Sequence, residues 1–127
     1  MQVEKVDFIS VPTQDKERAR EFYGEVLGLE LEKPTPIGYE FAAGNVTIGI
    51  WEPVAVGMEF QPNRAPLALR VPDVAAARAE LEGKGVQFDG ETRDTTVCHM
   101  AFFADPDGNG LMLHRRYAPL GAENHAS

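Results

Sequence analysis

The chain has 127 residues, 43% of them hydrophobic, enough for one domain with a real core and too few for two ordinary ones. With 20 acidic against 12 basic residues the formal net charge is -8. That balance argues against nucleic acid or an anionic membrane surface as a main partner, since both are held by clustered Lys and Arg, and Arg115-Arg116 is the only close basic pair.

"MQVEKVDFIS" carries no apolar leader segment, and no window approaches the roughly 18 apolar residues of a membrane span, so the expectation is a cytoplasmic protein with no membrane partner. Cys98 is the only cysteine, which excludes an internal disulfide and a Cys-rich zinc site. Inside an apolar run it reads as a small buried hydrophobe.

"VDFISVP" (6–12) reads as a short strand ended by Pro12. From Asp15 the period changes. Ala19, Phe22, Tyr23, Val26 and Leu27 follow helical spacing, with Asp15 as N-cap and Gly28 as the stop. "LELEK", "GYEFAAG" and "NVTIGIWEP" then read as three strands separated by Pro34, Pro36, Gly38 and Gly44-Asn45.

Pro62 to Pro66 reads as a connection, after which the plan repeats. "LALRVPD" is a strand closed by Val-Pro, Asp73 caps a second helix with Val74, Ala77 and Leu81 on its inner face, and Gly83 or Gly85 ends it. "VQFDG", "VCHMAFFAD" and "NGLMLHRRY" supply three more strands, the last fed by the tight turn "DPDGN". The spacing predicts an internal duplication in a single domain, 1–127: module one about 4–60, linker 61–65, module two about 66–118 and a frayed tail 119–127.

"VPTQDKERAREFYGEVLGLEL", "LALRVPDVAAARAELEGKGV" and "ADPDGNGLMLHRRY" together resemble the vicinal oxygen chelate superfamily, which includes glyoxalase I, extradiol dioxygenases and bleomycin-resistance proteins. The resemblance spans about residues 6–117. It implies an α+β fold of two tandem βαβββ modules, whose curled mixed sheets form a concave cavity, and a homodimer.

The fold supports many chemistries, so function has to be argued from side chains. Enzymes of this family hold a divalent metal with a His early in a module's first strand and a Glu or His late in its last. Carried over position by position, those places fall on Phe8, Pro66, Met112 and either Ile48 or Gly49. None is a normal ligand for a hard divalent ion, and such residues would line the pocket with apolar surface instead.

The expectation is therefore a binding protein without a cofactor, taking a small hydrophobic or aromatic ligand such as a natural product sequestered in the manner that the resemblance to the bleomycin-resistance proteins implies. The candidate lining residues are Phe8, Phe41, Ile48, Trp51, Phe60, Phe102, Met112 and His114. Phe103 is a further stacking candidate, and strand alternation decides which of these faces the ligand. The alternative is a metal-dependent lyase, isomerase or dioxygenase with an atypical ligand set drawn from His99, His114 and Glu52. A metal-free acid or base role for His114 beside Glu40 or Glu52 stays open as well. No phosphate-binding Gly-rich loop is present, since "GNG" follows no strand-to-helix pattern.

Overall fold

The structure is a computed structural model that describes residues 1–119; the expected frayed tail lies outside the described residues beyond Pro119. The chain forms two compact units. Among the described residues, the first comprises Met1–Asn63 together with Asp105–Asn109, and the second comprises Arg64–Ala104 and residues 110–119.

In the first unit, strand β1 (Phe8–Pro12) leads to helix α1 (Lys16–Glu21) and then to β2 (Glu30–Thr35), β3 (Gly38–Ala43) and β4 (Val46–Trp51). The sheet order is β1-β4-β3-β2, with β1 parallel to β4 and the other pairs antiparallel. Asp15 caps α1 as expected, its carboxylate accepting from the amides of Glu17 and Arg18 at 3.1 and 3.2 Å.

The helix is not uniform. It passes into a π-helical turn over Phe22–Val26, closed by the amide of Leu27 on the carbonyl of Phe22 at 2.9 Å. The wider turn keeps Ala19, Phe22 and Tyr23 buried and leaves Val26 and Leu27 half-buried. Gly28 ends it at φ +78°.

The second unit repeats the order with β5 (Leu67–Arg70), α2 (Val74–Gly83), β6 (Arg93–Asp94), β7 (Cys98–Ala104) and β8 (Gly110–Arg116). Its sheet runs β5-β8-β7-β6, again with one parallel pair, β5 with β8. Both sheets are curled and unclosed. Asp73 caps α2 through the amide of Ala76 at 3.0 Å, Val74 and Leu81 are buried, and the positive φ falls at Gly85. Cys98 is buried.

The duplication extends to single backbone bonds. The amide of Thr13 donates to the carbonyl of Trp51 at 2.9 Å, and the amide of Val71 donates to that of His114 at 3.1 Å. Trp51 and His114 therefore hold equivalent places in the two modules, as do Gly49 and Met112, one strand period earlier.

Two expectations need correction. "VQFDG" is not a strand: Phe88 makes an isolated bridge to Phe103, Gly90 turns the chain at φ +75°, and ladder pairing resumes only at Arg93–Asp94. Arg78 holds that irregular stretch, donating to Thr92 Oγ1 at 3.0 Å and the Gly90 carbonyl at 2.9 Å, with its guanidinium over the Phe88 ring. The last strand of module one stops at Trp51, because Pro53 opens a 3-10 turn over Pro53–Val56. Among the described residues no helix is long and apolar enough to cross a membrane.

Candidate functional site

Alternation along the strands separates a core face from an open face in each sheet. In the first, Phe41, Ile48 and Ile50 are almost completely buried, and register places Phe41 opposite Ile48. Each such side chain contributes roughly 1.5–3 kcal/mol through its burial. The other parity carries Phe8 and Ser10 of β1, Thr47, Gly49 and Trp51 of β4, and Glu40 of β3. Phe8 is 57% exposed, and its ring edge lies 3.7 Å from where a side chain on Gly49 would begin. The Trp51 indole N–H is buried without a hydrogen-bond partner among the described residues.

The second sheet divides in the same way. Leu111, Leu113, Ala101 and Phe103 are buried on its core face, with the Phe103 ring 4.9 Å from Phe88. The open parity sets Met112 directly between Ala68 and Phe102, and His114 directly between Arg70 and Met100. Met112, Phe102, Met100 and His114 are half-buried, and Arg70 is exposed.

The turn Asp105–Asn109 does more than join β7 to β8. Asp105 is buried, and its carboxylate accepts four hydrogen bonds: the amides of Asp107 and Asn109 at 2.9 Å each, Asn109 Nδ2 at 2.8 Å and the Tyr23 hydroxyl at 2.7 Å. Burial first, and then the adjacent Asp105 charge, push the Tyr23 phenol far above its ordinary range. Asp107 accepts from Thr13 Oγ1 at 2.6 Å, the Gln14 amide at 2.8 Å and the Arg18 guanidinium at 2.7 Å. The motif therefore organises the entrance to α1 and acts as scaffold.

A different polar cluster lies on the core side of the second sheet. His99 Nε2 is 3.4 Å from Asp94, its ring stacks on Tyr117 with centroids 4.7 Å apart, and the Tyr117 hydroxyl donates to Asp94 at 2.6 Å. That last bond is the main reason the Asp94 carboxyl is held below, and the Tyr117 phenol above, their usual ranges.

The sequence matches the Glyoxalase/Bleomycin resistance protein/Dioxygenase superfamily over residues 5–113. The chain belongs to this superfamily. A glyoxalase/bleomycin resistance protein from Streptomyces sp. CB03234 is 32% identical, with a TM-score of 0.69 over 87% of this chain and 100% of that one. TnmS3, an antibiotic binding protein from Streptomyces sp. CB03234, is 29% identical, with a TM-score of 0.75 over 92% and 99%. A putative glyoxalase family protein from Bacillus anthracis has the same fold at 24% identity, with a TM-score of 0.78 over 92% and 98%.

The divalent metal of the superfamily's enzymes does not fit the residues present. Phe8, Gly49 and Met112 stand on the open faces, and none supplies a hard donor. The atypical set fails on geometry. His99 pairs in register with Arg115 while His114 pairs with Met100, so neighbouring ladder positions turn the two imidazoles to opposite faces of the sheet. Glu52 is engaged elsewhere, its carboxylate accepting from the Lys16 amide at 2.9 Å at the start of α1. Among the described residues, no three His, Cys, Asp or Glu are placed to hold a metal ion.

Phe41 and Ile48 have core parity, each one residue out of step with Glu40 and Gly49. Phe60 is half-buried in the irregular chain after the Pro53–Val56 turn, off both ladders. Phe8, Trp51, Phe102, Met112 and His114 do have open-face parity.

A depression of about 410 Å³ in the first unit is lined by Glu17, Arg20, Glu21, Gly24, Leu29 and Phe41, of which the sequence singles out only Phe41. The i, i+4 spacing of Glu17 and Glu21 was its visible signal. Its rim is already partnered, with Glu17 accepting from the Tyr39 hydroxyl at 2.6 Å and Arg20 lying over the Tyr39 ring.

Proposed function

We propose that this chain is a metal-independent small-molecule binding protein of the cytoplasm that sequesters an aromatic or hydrophobic natural product against the open faces of its sheets. The observation that carries the reading is substitution at the metal positions: Phe8, Gly49 and Met112 offer stacking surface and space where donors would be needed. The likeness to an antibiotic binding protein supports it. A homodimer belongs to the same reading, with exposed Val54, Val56 and Met58 as apolar surface for a second copy to cover.

Trp51 is the only tryptophan and has open-face parity, so its fluorescence reports on the proposed site. The test titrates the protein with a panel of neutral flat aromatic antibiotics, with metal content measured by elemental mass spectrometry before and after incubation with nickel, zinc, manganese and iron(II). Saturable quenching, insensitive to chelator and weakened by Trp51→Ala, is the expected result. Stoichiometric metal with ligand binding that chelator abolishes would overturn the reading and favour a metal-dependent lyase, isomerase or dioxygenase. Light scattering on the same sample gives the oligomeric state.

A further inference from the structure

The two modules are equivalent in backbone and opposite in the chemistry of their open faces. Where the first places Pro12 and Trp51 side by side, the second places Arg70 and His114. Register extends this row across the whole second sheet: Arg70 on β5, His114 on β8, Met100 on β7 and Arg93 on β6. Three of the four are basic, on a chain whose formal net charge is -8.

With strands about 4.8 Å apart, the row spans roughly 14 Å, a distance that two Arg side chains at its ends are long enough to bridge toward a ligand at its middle. None of the three basic groups has a hydrogen-bond or ion-pair partner among the described residues. Arg116, two residues beyond His114 on the same face, shows the contrast, because its guanidinium is spent on the carbonyls of Ala118 and Pro119 at 3.0 and 3.3 Å. The four-strand row contains no carboxylate, and the exposed Asp89 lies beside Phe102 of the adjacent row, its amide donating to the Phe102 carbonyl at 2.7 Å. The adjacent row, Ala68, Met112 and Phe102, is apolar.

We infer that Arg70, His114 and Arg93 form an anion subsite beside that apolar floor, so that the preferred ligand is a flat aromatic acid, carrying a carboxylate or an ionised phenol. This rests on the small-molecule reading above and names the ligand class that reading leaves open. The Met112 and Phe102 surfaces take the ring, and the guanidinium and imidazole groups take its charge through charge-assisted hydrogen bonds.

A matched pair of probes tests it on the full chain: anthracene-9-carboxylate and anthracene-9-carboxamide, equal in shape and different in charge, titrated at constant pH and at two ionic strengths. The expected result is carboxylate binding about tenfold or more tighter than amide binding, with a preference that shrinks as salt is raised. Arg70→Gln and His114→Gln should each lower the carboxylate-to-amide ratio several-fold, and Arg70→Gln/His114→Gln/Arg93→Gln should bring it to about one. Arg70→Lys, which keeps the charge and loses the fork, should retain part of the preference. Unfolding midpoints equal to that of the parent chain exclude a folding defect. Equal affinities for the two probes would overturn the anion subsite and leave the apolar reading standing. A preference that survives the triple substitution would overturn it too, by placing the anion elsewhere. Binding of neither probe would overturn the subsite and count against the small-molecule reading itself.

Discussion

The Tyr23 hydroxyl donates to the Asp105 carboxylate across 2.7 Å, although 82 residues separate the two in sequence. Both are buried, so removing the hydroxyl strips a partner from a carboxylate that water cannot reach. Tyr23→Phe should therefore cost roughly 1–3 kcal/mol in denaturant unfolding.

The same pair fixes a pH dependence. The Tyr23 pKa is raised above its unfolded value, so the associated stability is complete below about pH 10 and declines as pH rises further, because the unfolded chain gives up the proton first. Unfolding midpoints measured across that range should fall more steeply for the parent chain than for Tyr23→Phe. Parallel slopes would show that the phenol is not coupled to the fold.

Gly38 and Gly83 should respond to alanine with opposite signs. A Cβ on Gly38 would lie 1.7 Å from the carbonyl oxygen of Ile50, which only a shift of backbone between β3 and β4 can relieve. Gly83, the last residue of α2, has nothing within 4 Å of the same position. Gly38→Ala is expected to lose roughly 2–3 kcal/mol, and Gly83→Ala to gain about 0.5–1 kcal/mol from helix propensity. Thermal unfolding of the two variants checks both signs.

The repeated strand-helix-strand plan was legible because its signals are local. Asp15 and Asp73 before helical periods, and Gly28 and Gly85 after them, state where each helix begins and ends. The open-face positions of Phe8, Met112 and His114 followed from counting residues, since strand parity is rigid over short runs. The parity of Ile48 is not legible in the sequence because a run such as "NVTIGIW" is apolar on both parities, so hydrophobicity alone does not say which residues meet the helix. "VQFDG" misled for a different reason. Its composition favours a strand, while Gly90 and the Arg78 contacts favour a turn, and Arg78 is distant enough in sequence to leave no local trace. His99 and His114 fall on neighbouring strands in the sequence, but only the register, which the sequence does not give, shows that they face opposite sides of the sheet.

Space beside Gly49 should matter more for binding than for folding. Its missing Cβ would meet only the Phe8 ring at 3.7 Å and the Ile9 carbonyl at 3.9 Å, which are ordinary contacts. Gly49→Leu should leave the unfolding midpoint within a few degrees of the parent value, while filling the open face between Phe8 and Trp51 and lowering affinity for a flat neutral aromatic by about tenfold. Unaltered affinity in a folded Gly49→Leu protein would place the ligand away from the first sheet.

Trp51 allows stacking to be separated from hydrogen bonding. Its indole N–H is buried and unpaired, a condition that ordinarily costs about 1–3 kcal/mol. Trp51→Phe and Trp51→Ala both remove that unpaired donor, but Phe keeps most of the apolar contact, so stability should change by less than about 1 kcal/mol, whereas Ala gives up nearly all of the contact and should cost roughly 2–3 kcal/mol. Binding then divides the roles. If the ring acts as a stacking surface, Trp51→Phe keeps most of the affinity for a neutral aromatic and Trp51→Ala loses it. If the N–H turns to meet a ligand acceptor, both variants lose it together, and calorimetry on the pair distinguishes the two outcomes.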